Sequence, residues 1–260
     1  MDTLHIDNIP FETDPEFDHR PSIGLIVLAS DHTIEDEFRL ISQKFPPIRL
    51  HHSRISNVDR VTPDSLRDME HRIAECSALL TPGSDIDVVA YGCTSASTAI
   101  TEDRVFELIR SSKPRARCTT PITAAFAAFT AFGATRIGLL TPYVKEVNAI
   151  VAEYIRNRGY EVPVFGSFNE GLDSVVSRIS AQSVMDAVHR ILDKADVDAV
   201  FVSCTSVRLV EFCERLETDI RLPVTTSNHA MAWHALRLAG LEHRPDGLGS
   251  LYRMPLPKRL

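Results

Sequence analysis

The sequence predicts an α/β fold of two similar units, each a parallel sheet with helices on both faces, with a cleft between them. Three observations predict it. Short apolar runs alternate with longer amphipathic ones along most of the chain, as βα units do. The runs Ile23–Ala29, Val88–Ala90 and Ala199–Val202 show no in-out alternation, which fits strands covered on both faces. The chain also repeats itself. Ile23-Gly-Leu-Ile matches Ile137-Gly-Leu-Leu, Cys93-Thr-Ser matches Cys204-Thr-Ser, and Pro121-Ile-Thr matches Pro223-Val-Thr, at offsets of about 114, 111 and 102 residues. Nearly constant offsets point to two pseudo-symmetric, Rossmann-like units. Residues 21–122 plus 229–260 form the first, residues 123–228 the second, and residues 1–20 an N-terminal arm.

Taken in order, residues 1–20 are polar, acidic and Pro-containing. They read as a loosely packed arm or as an arm laid on a partner subunit. Ile23–Ala29 is a buried strand, Ser30–Thr33 a turn, and Ile34–Phe45 a helix. Ile48–Ile55 is β-branched at points and reads as the second strand. Thr62-Pro63 opens a helix, with a capping residue and Pro at the first helical position. Leu66, Met69, Ile73 and Leu80 lie roughly on one helical face. Asp87–Tyr91 is the third strand and Ser97–Arg110 a helix. Pro121–Thr123 is a short strand or turn, and the Ala/Phe-rich stretch Ala124–Phe132 a helix between layers. Arg136–Tyr143 starts again as strand and turn. Tyr143–Arg158 is a helix stopped by Gly159, and Glu161–Phe168 a strand. Asp173–Ala195 is helical with a break near Ser180. Asp198–Ser203 is a strand, Val207–Leu216 a helix, Leu222–Asn228 a strand and turn, and His229–Leu238 the last helix.

Composition excludes several function classes. The 260 residues carry a net charge of −7 and no basic run interleaved with aromatics, so nucleic acid is not an expected partner. The opening residues lack the apolar stretch of a signal peptide, and no apolar run approaches membrane-spanning length. A cytoplasmic protein is therefore expected. Five cysteines are an odd number, none are spaced Cys-x-x-Cys, and no histidine lies at zinc-site spacing from them. Neither a disulfide framework nor a metal is expected, and no organic cofactor is implied.

The chemistry concentrates at two places. In Asp87-Val-Val-Ala-Tyr-Gly-Cys-Thr-Ser-Ala-Ser97, Cys93 stands where a strand ends and a helix begins. Asp198-Ala-Val-Phe-Val-Ser-Cys-Thr-Ser206 repeats the arrangement with Cys204. Helix N-terminal N–H groups and the macrodipole stabilise anions, so a thiolate is expected there. In open parallel sheets, sites form at the carboxyl ends of strands. A pseudo-twofold axis would set the two thiols across one cleft. Two opposed thiols suit proton transfer at a carbon beside a carboxylate: one removes a proton from one face and the other delivers a proton to the opposite face. A thiolate can also add to an activated double bond and leave after rotation. Thr94, Ser95, Thr205 and Ser206 would hold a carboxylate or a developing enolate with their hydroxyl and N–H groups.

The rival reading for any cysteine is simple burial in the core. The repeated context decides for function at Cys93 and Cys204, whereas Cys76, Cys118 and Cys213 are read as structural. Ser30, Asp31 and His32 follow the first strand and should reach the same cleft. His32 is either a base or a capping residue. Tyr143 holds the equivalent place in the second unit, as a hydroxyl donor to a substrate carboxylate or as core packing with a wet tip. His51 and His52 point to opposite faces of a strand and read as structural. The apolar Ala124–Phe132 segment allows a homodimer.

Gly24-Leu-Ile-Val27, Thr33-Ile-Glu35, Tyr91-Gly-Cys-Thr-Ser-Ala-Ser97, Leu140-Thr-Pro-Tyr143, Val202-Ser-Cys-Thr205 and Thr226-Ser-Asn-His-Ala230 resemble the aspartate/glutamate racemase superfamily. The resemblance runs from about residue 21 to residue 240. It is nearer to the branch of maleate cis–trans isomerase and arylmalonate decarboxylase, and Ser30–Glu35 is most similar to the ectoine-utilisation protein A group. It implies a pseudo-symmetric fold, independence of cofactors, and catalysis by Cys93 and Cys204. It also implies that Tyr143 meets a substrate carboxylate and that Asn228 is a substrate-binding position. In the decarboxylase one cysteine position is glycine; two cysteines favour isomerase or racemase chemistry.

Two departures stand out. Asp31, and by a looser alignment Asp173, stand where maleate isomerase has asparagine. Two like unit charges at about 4 Å cost on the order of 1–4 kcal/mol. That favours a substrate with an amino or amidinium group, and ectoine-derived acids have this character. The expected function is thus racemisation or isomerisation of a small amino or dicarboxylic acid. Decarboxylation through an enolate protonated by Cys204 is the first alternative, and a non-catalytic small-acid sensor the second.

Overall fold

The structure, a computed structural model, describes residues 3–14, 17 and 19–258. Eight strands fall into two four-stranded parallel sheets. The first holds β1 (Ser22–Leu28), β2 (Arg49–Ile55), β3 (Val88–Gly92) and β4 (Arg117–Thr119) in the order β2-β1-β3-β4. The second holds β5 (Arg136–Thr141), β6 (Glu161–Ser167), β7 (Ala199–Val202) and β8 (Val224–Thr226) in the order β6-β5-β7-β8. The two orders are the same pattern shifted by one unit, so the duplication read from the sequence is present in the topology. The registers repeat as well: Ile23 pairs with Val88, and Ile137 with Ala199. Cys93 and Cys204 therefore lie at the same height beyond the central strands of their sheets. Every residue of β1, β3 and β7 is buried, as two covered faces require.

The helices are α1 (Ile34–Ser42), α2 (Pro63–Asp68), α3 (Glu70–Ala78), α4 (Thr94–Ile100), α5 (Glu102–Arg110), α6 (Pro121–Phe132), α7 (Lys145–Asn157), α8 (Asp173–Val176), α9 (Ala181–Leu192), α10 (Cys213–Ile220) and α11 (Ser227–Leu238). Helices α6 and α11 join the halves. Each follows the last strand of one sheet and packs against elements of the other: α6 reaches β7 and β8, and α11 reaches β3 and β4. Phe129 of α6 meets Phe201 of β7 edge to face, with centroids 5.6 Å apart. Ala124, Ala127 and Ala128 of α6 pack with Ala230, Met231 and Ala235 of α11 in a second apolar cluster. Small residues let the two helices lie close, so the Ala-rich stretch serves intrachain packing.

Four local expectations are corrected. Pro121 begins α6 rather than a strand or turn: Thr120 caps the helix, accepting from the Thr123 N–H at 3.2 Å, and Pro121 supplies the first helical residue. The counterpart of Thr120 is Thr226, which caps α11 by accepting from the His229 N–H at 3.1 Å. The pairing of Pro121-Ile-Thr with Pro223-Val-Thr is therefore out of register. The helix expected over 97–110 begins earlier and is two helices, parted at Thr101, whose φ is +89°. The helix expected from Val207 begins at Cys213 instead, because the Leu209 and Val210 N–H groups donate to the Glu37 carboxylate. The break near Ser180 is found, with Ser180 capping α9.

Residues 3–14 form no helix or strand and are exposed, with Leu4, Ile6, Ile9 and Phe11 open to solvent. Residues 1, 2, 15, 16 and 18 of the expected arm lie outside the described residues. Among the described residues no helix is long and apolar enough to cross a membrane.

Candidate active site

Cys93 directly follows β3, is extended, and is the N-cap of α4. Its Sγ accepts from the Ala96 N–H at 3.4 Å and lies 3.8 Å from Ser95 Oγ. Gly92 makes the approach possible, since a Cβ there would sit 2.7 Å from Ile34 Cδ1 and 3.0 Å from the Ile26 carbonyl oxygen. Cys204 follows β7, and its N–H donates to Ser227 Oγ at 2.9 Å. Ser227 Oγ is also 2.7 Å from Thr94 Oγ1, the residue after Cys93. Thr205 Oγ1 donates to the Gly92 carbonyl at 3.4 Å, and Thr33 Oγ1 to the Ser206 carbonyl at 3.0 Å. Hydroxyl groups thus lace the two cysteine loops together across the halves.

Both cysteines line one narrow cavity. Its polar wall holds Thr94, Ser95, Tyr143, Asp173 and Thr205, and its apolar wall holds Leu28, Val58, Val61, Leu66 and Met69. The Tyr143 hydroxyl faces the Cys204 sulfur. Its backbone is fixed by Asn148 Nδ2 and Ser167 Oγ, which donate to the Tyr143 carbonyl at 2.6 and 2.7 Å. Asp173 accepts from Ser30 Oγ at 2.8 Å on one oxygen and from Ser206 Oγ at 3.4 Å on the other. Asp31 lies behind this wall. Its Oδ1 accepts from the Thr33 and Ile34 N–H groups at 2.7 and 2.9 Å, while its Oδ2 is buried with no hydrogen-bond partner.

Electrostatics overturn the expected resting thiolate. Burial pushes the Cys93 thiol up to about 12; the Ala96 N–H opposes this, and Asp173 adds to it. Cys204 is pushed up further, by burial first and then by Asp173. The helix start offers one N–H and the dipole of a two-turn helix, which cannot offset desolvation beside an acid. Both thiols are neutral at pH 7. Burial also raises Asp173 to about 6 and raises Asp31. Alkylation of Cys93 by iodoacetamide, resolved by peptide mass spectrometry, should therefore climb about tenfold per pH unit from pH 7 to 10 without levelling. A plateau near pH 7 would restore the thiolate.

The other expected site residues divide. Ser30 and Ser206 hold Asp173, and Asn228 is a second-layer strut: its Nδ2 donates to Glu37 Oε2 and to the Thr205 carbonyl, both at 2.7 Å. His32 is the exception, for it is exposed and opens onto an outer groove with Asp36 and Arg208. The Asp31 carboxylate caps the turn, which leaves the next side chain directed outward. Sequence reasoning missed three features. Asn57, just past β2, donates to Ser30 Oγ at 2.7 Å; its signal was its place at a strand's carboxyl end. The apolar wall between β2 and α3 had no signal. Glu37 sits among Ile34, Phe38 and Ile41 on the buried face of α1, and a carboxylate on such a stripe was the signal.

A model of the arylmalonate decarboxylase family matches residues 23–252. Among curated relatives, a maleate isomerase of Nocardia farcinica is 27% identical over 243 residues, covering 89% of this chain and 95% of that protein. An arylmalonate decarboxylase of Bordetella bronchiseptica is 31% identical over 140 residues, covering 52% of this chain and 57% of that protein. Two solved structures share the fold. One is a cysteine-to-serine variant of the Nocardia farcinica maleate cis–trans isomerase with a covalently bound succinylcysteine intermediate, with a TM-score of 0.81 at 23% identity over 90% of this chain and 98% of that one. The other is a liganded arylmalonate decarboxylase variant, with a TM-score of 0.79 at 24% identity over 90% and 99%. With the family model spanning both cysteine loops and both sheets, this chain belongs to the arylmalonate decarboxylase family.

Proposed function

We propose that the protein is a cofactor-independent isomerase of a small carboxylic acid, with Cys93 and Cys204 as its working pair. The observation that carries the reading is that two cysteines, at equivalent strand ends of duplicated halves, line one cavity beside Tyr143 and Asp173. The names of the curated relatives, maleate isomerases among them, support the same chemistry. The finer range of substrates, from dicarboxylates to ectoine-derived amino acids, is part of the proposal.

The environments give the two sulfurs different roles. Each sulfur meets one N–H and one hydroxyl, Ala96 and Ser95 at Cys93 and Ser206 and Tyr143 at Cys204. Burial and then Asp173 raise Cys204 further, so Cys93 is the better placed to carry negative charge. It acts as base or nucleophile. Cys204, facing the Tyr143 hydroxyl, delivers a proton from the other side. On a saturated acid, Cys93 takes the proton from the carbon beside the carboxylate, and Cys204 gives its own proton to the opposite face. On a cis-alkene, the Cys93 sulfur bonds to one carbon while Cys204 protonates the neighbour. The proton leaving Cys93 restores Cys204, so the sum is one S–H added across the double bond. Rotation and reversal then release the trans acid. Ionising Cys93 at pH 7 from a value of about 12 costs on the order of 7 kcal/mol, which a typical enzymatic barrier accommodates.

Decarboxylation is the second reading, favoured by the apolar wall of Val58, Val61, Leu66 and Met69, where a carboxylate would be poorly solvated. Proton NMR in deuterated water across amino acids, ectoine-derived acids, maleate and arylmalonates separates the two. Loss of a substrate C–H signal, or conversion of cis to trans acid, is expected. Carbon dioxide release without either would give the site to decarboxylation. A panel left wholly unchanged would leave the sensor reading.

A further inference from the structure

The cavity is unbalanced in charge. Among its described lining residues there is no lysine, arginine or histidine, and its one carboxyl group is Asp173. That carboxyl is met only by the hydroxyls of Ser30 and Ser206, which are neutral donors able to turn away. Behind it, Asp31 is 1% exposed and locked in place through Oδ1 by two backbone N–H groups, with Oδ2 unpartnered. A dicarboxylate would bring two negative charges into this space and find no protein cation. We infer that the substrate carries a cationic nitrogen received by Asp173 with Asp31 behind it, so that the site takes a zwitterion with a short aliphatic flank rather than a dicarboxylate. This inference rests on the isomerase reading above and narrows its substrate class.

Three further observations agree. The apolar lining of Leu28, Val58, Val61, Leu66 and Met69 suits an aliphatic group and not a second carboxylate. The charged groups that bear on Asp173 and Asp31 include Asp59, which raises Asp173, and Arg54, which lowers Asp31. Arg54 is already engaged, with the Glu35 carboxylate and with the Leu28 and Asp31 main-chain carbonyls. Burial holds the thiols neutral, and Asp173 and Asp31 add to it. A cation arriving at Asp173 cancels that field, so the proper substrate itself eases ionisation of Cys93, whereas a dianion opposes it.

The rival is that both acids stay protonated and donate to a substrate carboxylate. Calorimetric titration of the Cys93→Ser protein, whose turnover is slow on the timescale of an injection, tests the two together. The probes are 2-aminobutyrate, butyrate and maleate, at pH 8 and pH 5. At pH 8, 2-aminobutyrate should bind at least tenfold more tightly than either of the others. The preference should vanish in Cys93→Ser/Asp173→Asn, and should shrink at pH 5 as Asp173 takes up a proton. Tighter binding of maleate at pH 8, maleate binding that strengthens at pH 5, a preference untouched by Asp173→Asn, or no binding of any probe would each overturn the inference. Binding is read without turnover. Selective binding of 2-aminobutyrate, with no C–H exchange by the wild-type protein on any acid, would instead count against the isomerase reading alone.

Discussion

Cys204→Ser and Cys93→Ser should each lower turnover on the order of 10²–10⁴-fold, the usual worth of one positioned acid or base. The two variants should also fail in different ways. If one sulfur serves each face, removing Cys204 leaves Cys93 able to abstract and return a proton on its own side. Deuterium would then enter one enantiomer without inversion, and Cys93→Ser should give the mirror result. The double variant should be little worse than the weaker single one, because two groups that act in one transfer are not additive. Serine keeps the volume and the cap at residue 93, so the fold is retained and the readout concerns chemistry. NMR exchange combined with chiral chromatography measures both quantities. Full turnover in either variant would remove the pair from the mechanism.

What the sequence disclosed of this site follows from geometry that repeats. A strand end is visible wherever an apolar run stops, and that alone placed Cys93, Cys204 and Tyr143 around one cavity and Ser30 behind its Asp173. It could not orient the turn after β1, where the Asp31 carboxylate binds two N–H groups and leaves His32 outside. Nor could it weigh a helix dipole against desolvation, since a cysteine at a helix start looks the same in sequence whether 4% or 40% exposed. Here both cysteines are 4% exposed, and burial decides their charge. The third repeat pair slipped because proline followed by a β-branched residue and threonine serves equally to start a helix after Thr120 or to enter β8. Glu37 was missed because its partners lie about 170 to 190 residues away, in the other half.

Glu37→Ala carries the largest expected change in stability. Glu37 Oε1 accepts from the Leu209 and Val210 N–H groups at 2.8 and 2.9 Å, and Oε2 from Asn228 Nδ2 at 2.7 Å. The same Asn228 Nδ2 reaches the Thr205 carbonyl, so one carboxylate of the first half anchors the loop that carries Cys204. Removing it relieves its own burial, worth on the order of 3 kcal/mol for a shift from 4.5 to about 7. It also leaves three buried donors unsatisfied, each costing about 1–3 kcal/mol. The orphaned donors outweigh the relief, and a net loss of a few kcal/mol is expected at pH 8. The pH dependence has a definite sign. A carboxyl raised in the folded state contributes stability fully below its unfolded value near 4.5, and that contribution is lost as pH rises through about 7. The gap between wild type and Glu37→Ala should therefore widen from pH 8 to pH 5, by up to about 3 kcal/mol. His229 and His234, buried and lowered to about 4, pull the opposite way but are common to both proteins and cancel in the difference. Urea unfolding at the two pH values measures the gap. Glu37→Gln keeps an acceptor for the two backbone N–H groups but turns an amide donor toward Asn228, so it should recover part of the stability with a flat pH difference from Glu37→Ala. Turnover in Glu37→Gln should stay low, because Asn228 must rotate and the Thr205 carbonyl beside Cys204 loses its donor. A Glu37→Gln protein as active and as pH-dependent in stability as wild type would show that the carboxylate holds nothing the catalytic loop needs.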